Sequence, residues 1–116
     1  EVPLQLWALP GRPSPADLHV VLEAAYAGEP FVEVASGVEC AELQKVRAGA
    51  AGYVQALDPE SLNGTNRMRL FVFGDADASQ ARLVALLDNL GKGASGAAVQ
   101  NLNLMLGVDA ATSLAA

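Results

Sequence analysis

Two apolar runs, residues 68–73 and 82–87, flank a short polar connector made of Gly74, Asp75, Ala76, Asp77, Ala78, Ser79 and Gln80. In the first run Met68, Leu70 and Val72 alternate with Arg69, Phe71 and Phe73. In the second, Leu83, Val84, Ala85, Leu86 and Leu87 are all apolar. Side chains alternate between the two faces of a strand, so both faces of such a pair carry apolar groups. A connector this short joins antiparallel neighbours, because a parallel return needs a long crossover. An isolated hairpin is marginal in water, so this pair needs further strands and covering helices.

The rest of the chain supplies them. Residues 2–9 begin with alternation, Leu4, Leu6 and Ala8 on one side and Gln5 and Trp7 on the other, and read as a strand with both faces partly covered. Pro10, Gly11, Arg12 and Pro13 break it. Ser14 is then a helix N-cap, Pro15 suits the first helical position, and Asp17 can return a hydrogen bond to the cap. Leu18, Val21, Leu22, Ala25 and Tyr26 share one face of this helix, and Gly28 can end it. A strand is expected over 31–35, a short helix over 42–47, a loop over 49–52 and a strand over 53–57. Asp58, Pro59 and Glu60 read as one capped turn, and Asn63 with Gly64 as another. A glycine-rich turn over 91–96 opens a last helix through Leu106, which Gly107 ends; the residues after Asp109 are expected to fray. The sum is an α+β layer: a mixed, largely antiparallel sheet with helices on one face.

Composition narrows the function. Of the 116 residues 52% are hydrophobic, enough for a core, and the net charge of −6 comes without a basic cluster. Nucleic acid and anionic membranes are therefore disfavoured as partners. No apolar run is long enough to span a bilayer, and residues 1–4 do not read as a signal peptide. Cys40 is the only cysteine, which fits a reducing cytosol, and one Cys with one His cannot make a four-ligand zinc site.

The most unusual segment is Asp88-Asn89-Leu90-Gly91-Lys92-Gly93-Ala94-Ser95-Gly96. A helix start offers unpaired N–H groups and the positive end of a dipole, glycines allow close approach, and Lys92 adds charge, so an anion site is one reading. It is not a P-loop, whose Lys is followed by Ser or Thr. A tight strand-to-helix connection with Ser95 as N-cap is the other reading. Gln100, Asn101 and Asn103 read as a solvated face of the last helix. Cys40 lies beside Glu39 and Glu42, which oppose thiolate formation, so it reads as non-catalytic. His19 reads as a surface histidine, and Glu23, Glu29, Glu33, Asp75 and Asp77 as solvated acids.

Residues 88–107, DNLGKGASGAAVQNLNLMLG, closely resemble the C-terminal signature of N-acetyl-gamma-glutamyl-phosphate reductases. Gly64, Thr65 and Asn66 resemble the Gly-Ser/Thr-Asn step before a strand of that family. LPGRPS at 9–14, YAGEPFV at 26–32 and LFVFG at 70–74 resemble its second domain, the last in the shorter-chain subgroup. The resemblance is weakest over 36–57. It implies a parent enzyme that reduces N-acetyl-glutamyl phosphate to the semialdehyde with NADPH, in arginine biosynthesis. It implies that residues 1–87 are part of a dimerisation and substrate domain. Residues 88–116 would then be a returning segment whose helix packs on an N-terminal dinucleotide-binding domain. Asn89, Lys92, Gly93, Ala94 and Ser95 would lie at the NADP site, and the assembly would be a cytoplasmic homo-oligomer.

The departures from the family are as informative. The nucleotide-binding glycine fingerprint is not in this sequence. The family's nucleophilic Cys stands in Gly-Cys-Tyr-Pro, whereas Cys40 stands in Glu-Cys-Ala, so no catalytic residue transfers. The family's catalytic His lies upstream of the strand that resembles residues 2–9. The chain alone is therefore expected to be inactive. A non-enzymatic interaction or oligomerisation module that keeps the fold is the competing expectation.

Overall fold

The computed structural model describes residues 1–45, 48, 49, 52, 53 and 57–115. A four-stranded mixed sheet runs in the order β1, β6, β5, β2, with strands β1 (Val2–Gln5), β2 (Val32–Val34), β5 (Met68–Asp75) and β6 (Gln80–Leu87). Two short strands, β3 (Ala48–Gly49) and β4 (Gly52–Tyr53), pair with each other. The helices are α1 (Pro15–Tyr26), α2 (Gly37–Leu43) and α3 (Gly96–Leu106). This is the α+β arrangement that the apolar pattern requires.

The hairpin forms as expected. β5 and β6 pair antiparallel from Met68 opposite Leu87 to Asp75 opposite Gln80. The strands run past the connector residues assigned from sequence and leave only residues 76–79 as the turn, where the Asp75 carboxylate accepts from the Asp77 and Ala78 amides. β1 pairs antiparallel with β6, and β2 pairs parallel with β5. As an edge strand β1 is mostly exposed and ends at Gln5; Leu6–Ala8 is a 3-10 turn rather than more strand. Its Leu6 side chain is nonetheless buried, and its amide reaches the Ser79 carbonyl.

β5 outruns β2, which leaves backbone groups open on one edge. The Ala35 amide takes the Leu70 carbonyl. Farther along, the side-chain amide of Gln44 accepts from the Gly74 N–H at 2.8 Å and donates to the Gly74 carbonyl at 3.1 Å. One side chain thus imitates a pairing strand and satisfies groups that would be costly to bury unpaired. Gln44 is placed by α2, which begins earlier than the sequence pattern suggests: Ser36 caps it by accepting from the Glu39 amide. Arg69 fastens α2 to the sheet through a two-point pair with Glu39, at 2.8 and 3.1 Å, and also reaches Glu33. Glu33 therefore belongs to an ion-pair network with Arg67 and Arg69 and is not a merely solvated acid. Ala35, Cys40 and Phe71 form the buried centre, with Leu43, Leu57, Phe73, Val84 and Leu86 around it. Of the segments read from sequence over 42–57, residues 46, 47, 50, 51 and 54–56 lie outside the described residues.

In α1 the capping box of Ser14 and Asp17 is present as read. Leu18 and Leu22 are half-buried, whereas Val21, Ala25 and Tyr26 are exposed, so the covered face is narrower than the apolar pattern. α1 crosses β5 at Gly74, where a Cβ would come within 2.5 Å of Pro15 Cγ and 3.0 Å of the Gln80 carbonyl. Gly74→Ala is therefore expected to destabilise the chain by about 1–3 kcal/mol through overpacking. Gly37→Ala, where the space is open, should be neutral or stabilising by up to about 1 kcal/mol. Urea midpoints at constant slope would test the pair, and equal midpoints for the two variants would refute the account.

Candidate functional site

The glycine-rich segment is not a loop before a helix. Gly91–Ser95 already winds as a π-helical turn and runs without a break into α3. Its amides are largely spoken for: Gly93 donates to the Asp88 carbonyl at 2.9 Å and Ser95 to the Leu90 carbonyl at 3.1 Å. Ser95 is helical and its hydroxyl donates to the Leu90 carbonyl, so it is not the N-cap. Asp88 takes that place. Its carboxylate accepts from the Leu90 amide at 2.9 Å and, across the chain, from the Gly64 amide at 2.8 Å. The Gly64, Leu90 and Gly91 amides hold the Asp88 carboxyl below its ordinary range. The positive end of the segment thus carries a resident anion, which removes much of the physical basis for an external anion there.

Two of the glycines have a packing reason rather than a ligand reason. A Cβ at Gly91 would collide with the Thr65 carbonyl oxygen, and one at Gly96 with the side-chain oxygen of Asn66. What approaches these backbones closely is the segment 64–66. Gly93 is also tight, with Leu87, Asn89 and the Asp88 carbonyl 3.1–3.3 Å from a Cβ placed there. Lys92 turns inward: its ammonium donates to Gln100 Oε1 at 2.6 Å and lies 5.6 Å from the Phe31 ring centre. Asn89, Gly93, Ala94 and Ser95 are exposed. Residues 64–66, 88, 90, 91 and 95, with Leu114 and Ala115, line a cavity of about 310 Å³.

The amides of α3 divide. Asn101 is exposed as read, but Gln100 and Asn103 are not a solvated face. Gln100 Oε1 accepts from both Lys92 and Asn66 Nδ2. Asn103, 7% exposed, donates to the Ala110 and Thr112 carbonyls. Residues 109–115 accordingly form ordered turns instead of fraying, and the Ala115 carbonyl accepts from the Asn66 amide at 2.8 Å. The sequence signal for this was faint: asparagine is a weak helix former, so one on the inner side of this helix points to bonds that offset the cost.

Elsewhere Cys40 is buried and its thiol is pushed up, chiefly by burial and further by Glu39, which disfavours the thiolate. His19 is no surface histidine. Its ring is 15% exposed, with Nε2 at 2.7 Å from the Ala35 carbonyl and Nδ1 at 3.5 Å from Glu23, and it ties α1 to the end of β2. Among the described residues no three His, Cys, Asp or Glu side chains gather as metal ligands would, and no helix is long and apolar enough to cross a membrane.

Because the Asp88 carboxyl is held low, its contribution to stability is present above the unfolded value and is lost as pH falls through the folded one, below about pH 4. Melting temperature should therefore drop more steeply with acid in the native chain than in Asp88→Asn. Melts taken between about pH 5 and about pH 2 check this, and parallel curves would remove Asp88 as the cap.

No protein-family model matches the chain. Proteins named N-acetyl-gamma-glutamyl-phosphate reductase from Brucella ovis, Brucella canis and Brucella abortus are each 54% identical to it over 107 residues, which is 92% of this chain and 31% of the relative. The chain thus spans about a third of the length of these relatives. Along nearly all of its own length it is similar to the N-acetyl-gamma-glutamyl-phosphate reductases.

Proposed function

We propose that this chain is the C-terminal part of an NADPH-dependent N-acetyl-gamma-glutamyl-phosphate reductase, a cytoplasmic oxidoreductase of arginine biosynthesis. In this reading residues 1–87 belong to the dimerisation and substrate domain. Residues 88–116 return to an N-terminal dinucleotide-binding domain. The similarity over 92% of the chain carries the proposal. The shape supports it. The radius of gyration is 16.5 Å, against about 13 Å for a compact domain of this length. α3 stands off from the sheet with Ala98, Leu102, Met105 and Leu106 on one exposed face. An apolar stripe of this width normally faces a core. Met105 is 84% exposed, a cost that a neighbouring domain would relieve.

The chain's part in the chemistry would be to form one wall of the cofactor site. The reducing equivalent would come from NADPH when bound. The residues here fit an edge of such a site rather than the whole, since Asp88 fills the anion position of the turn and Asn89 presents a free-standing carboxamide beside it. An uncharged amide, such as the nicotinamide end of the cofactor, suits that pair better than a phosphate does. Lys92, Gly93, Ala94 and Ser95 would shape the turn more than bind through their own charges or amides. The nucleophile and the general acid-base group would come from outside this chain.

The test is direct. The full protein that carries this chain should reduce N-acetyl-glutamyl phosphate with NADPH, the isolated chain should not, and Cys40→Ser in the full protein should keep activity. Asn89→Ala should raise the cofactor KM by about tenfold, the worth of a lost hydrogen bond of roughly 1.4 kcal/mol. Lys92→Ala should do less. No reduction by the full protein would refute the assignment and leave the interaction module. Alone, the chain should self-associate in light scattering, and Met105→Glu should weaken that; a monomer at high micromolar concentration would count against the uncovered face.

A further inference from the structure

Gln100 and Asn103 sit three residues apart on the inner side of α3 and close a ring of hydrogen bonds. Asn103 spends both protons of its amide nitrogen on the carbonyls of Ala110, at 3.2 Å, and Thr112, at 2.9 Å. The segment so held ends against Asn66, whose amide donates to the Ala115 carbonyl. Asn66, 2% exposed, in turn donates from Nδ2 to Gln100 at 3.2 Å, which returns the chain of contacts to α3. Gln100 also takes Lys92, and Gly91 and Gly96 are pressed on residues 65 and 66. The Asn66 side-chain oxygen has no hydrogen-bond partner, so its place is kept by this packing and by the bonds around it.

We infer that Asn103 is a positioning residue: through residues 109–115 it sets where residues 64–66 lie, and these set the turn from Asp88 to Ser95. Leu114 and Ala115 form a wall of the cavity beside that turn, so the segment Asn103 holds also shapes the space next to the proposed cofactor edge. In this last respect the inference rests on the reductase reading. Asn103 is buried in the last turn of α3, where an asparagine is a weak helix former and would be costly without its two acceptors.

The experiment is NMR-detected amide hydrogen exchange on the 116-residue chain. Asn103→Asp keeps the shape but removes both donors and sets a carboxylate against two carbonyls. Asp109→Ala loosens the same segment from outside, where the Asp109 carboxylate accepts from the Ala111 amide, and leaves α3 untouched. Both variants should speed exchange at Asn66, Gly93 and Ser95, tenfold or more for Asn103→Asp and severalfold for Asp109→Ala. Exchange at Phe71 and Val84 in the central ladder should stay unchanged. Asn101→Asp, with the same charge change on an exposed neighbour, should do neither. Unchanged rates at Asn66, or equal acceleration throughout the sheet, would overturn the inference and leave Asn103 as a general stabiliser. The exchange result does not depend on catalysis, so it can fail while the reductase reading stands, and stand while that reading fails.

Discussion

The β5–β6 ladder is the constraint on which the rest of the molecule hangs. Eight facing pairs, from Met68–Leu87 to Asp75–Gln80, create a rigid two-stranded platform with apolar groups on both sides. Each neighbour solves a problem the platform poses. β1 and β2 pair its two edges, and α2 completes the edge that β2 is too short to reach, using the amide of Gln44 where backbone is missing. α1 covers β5 and β2, and Gly74 is the small residue that lets it lie close. β6 then delivers the chain to Asp88, so the position of the turn follows from the register of the ladder.

At that turn electrostatics and sterics point the same way. The carboxylate of Asp88 uses one remote donor, Gly64, and one near donor, Leu90, and thereby ties the loop that leads into β5 to the turn that follows β6. Glycines at 91 and 96 allow the two segments to touch. The buried polar ring of Asn66, Gln100 and Asn103 is costly to desolvate unless nearly every group is paired, and that requirement makes the arrangement specific. A half-formed ring would be worse than an apolar contact, so the segment 109–115 is part of the structure and not a trailing end.

The outward side of α3 has the opposite character. Its exposed Leu102, Met105 and Leu106 add nothing to this chain's own core, and the molecule is correspondingly flat, with extents of 48 × 42 × 20 Å. The helix thus has a polar, hydrogen-bonded inner side and an apolar outer side. The inner side secures it to this one. The relatives are about three times longer than the chain.

Local patterns were legible in the sequence because their causes are local. Two apolar runs around a short polar connector mark β5 and β6 wherever they end up, Ser14, Pro15 and Asp17 satisfy a helix start with atoms three residues apart, and the motif at 88–107 carries its family likeness in its letters. The bonds that decided the rest are long-range. Asp88 and Gly64 are 24 residues apart, Gln44 and Gly74 30, Asn66 and Gln100 34. No spacing rule connects such pairs, so Ser95 read as the cap, His19 as a surface group and residues 109–115 as a frayed end. The sequence by itself determined the β5–β6 hairpin, the start of α1, the last helix and which family the chain resembles, since propensity, capping and motif act over a few residues. Only the tertiary structure decided that the turn's glycines serve packing and that its positive end is already filled, because those outcomes depend on which distant backbone arrives beside it.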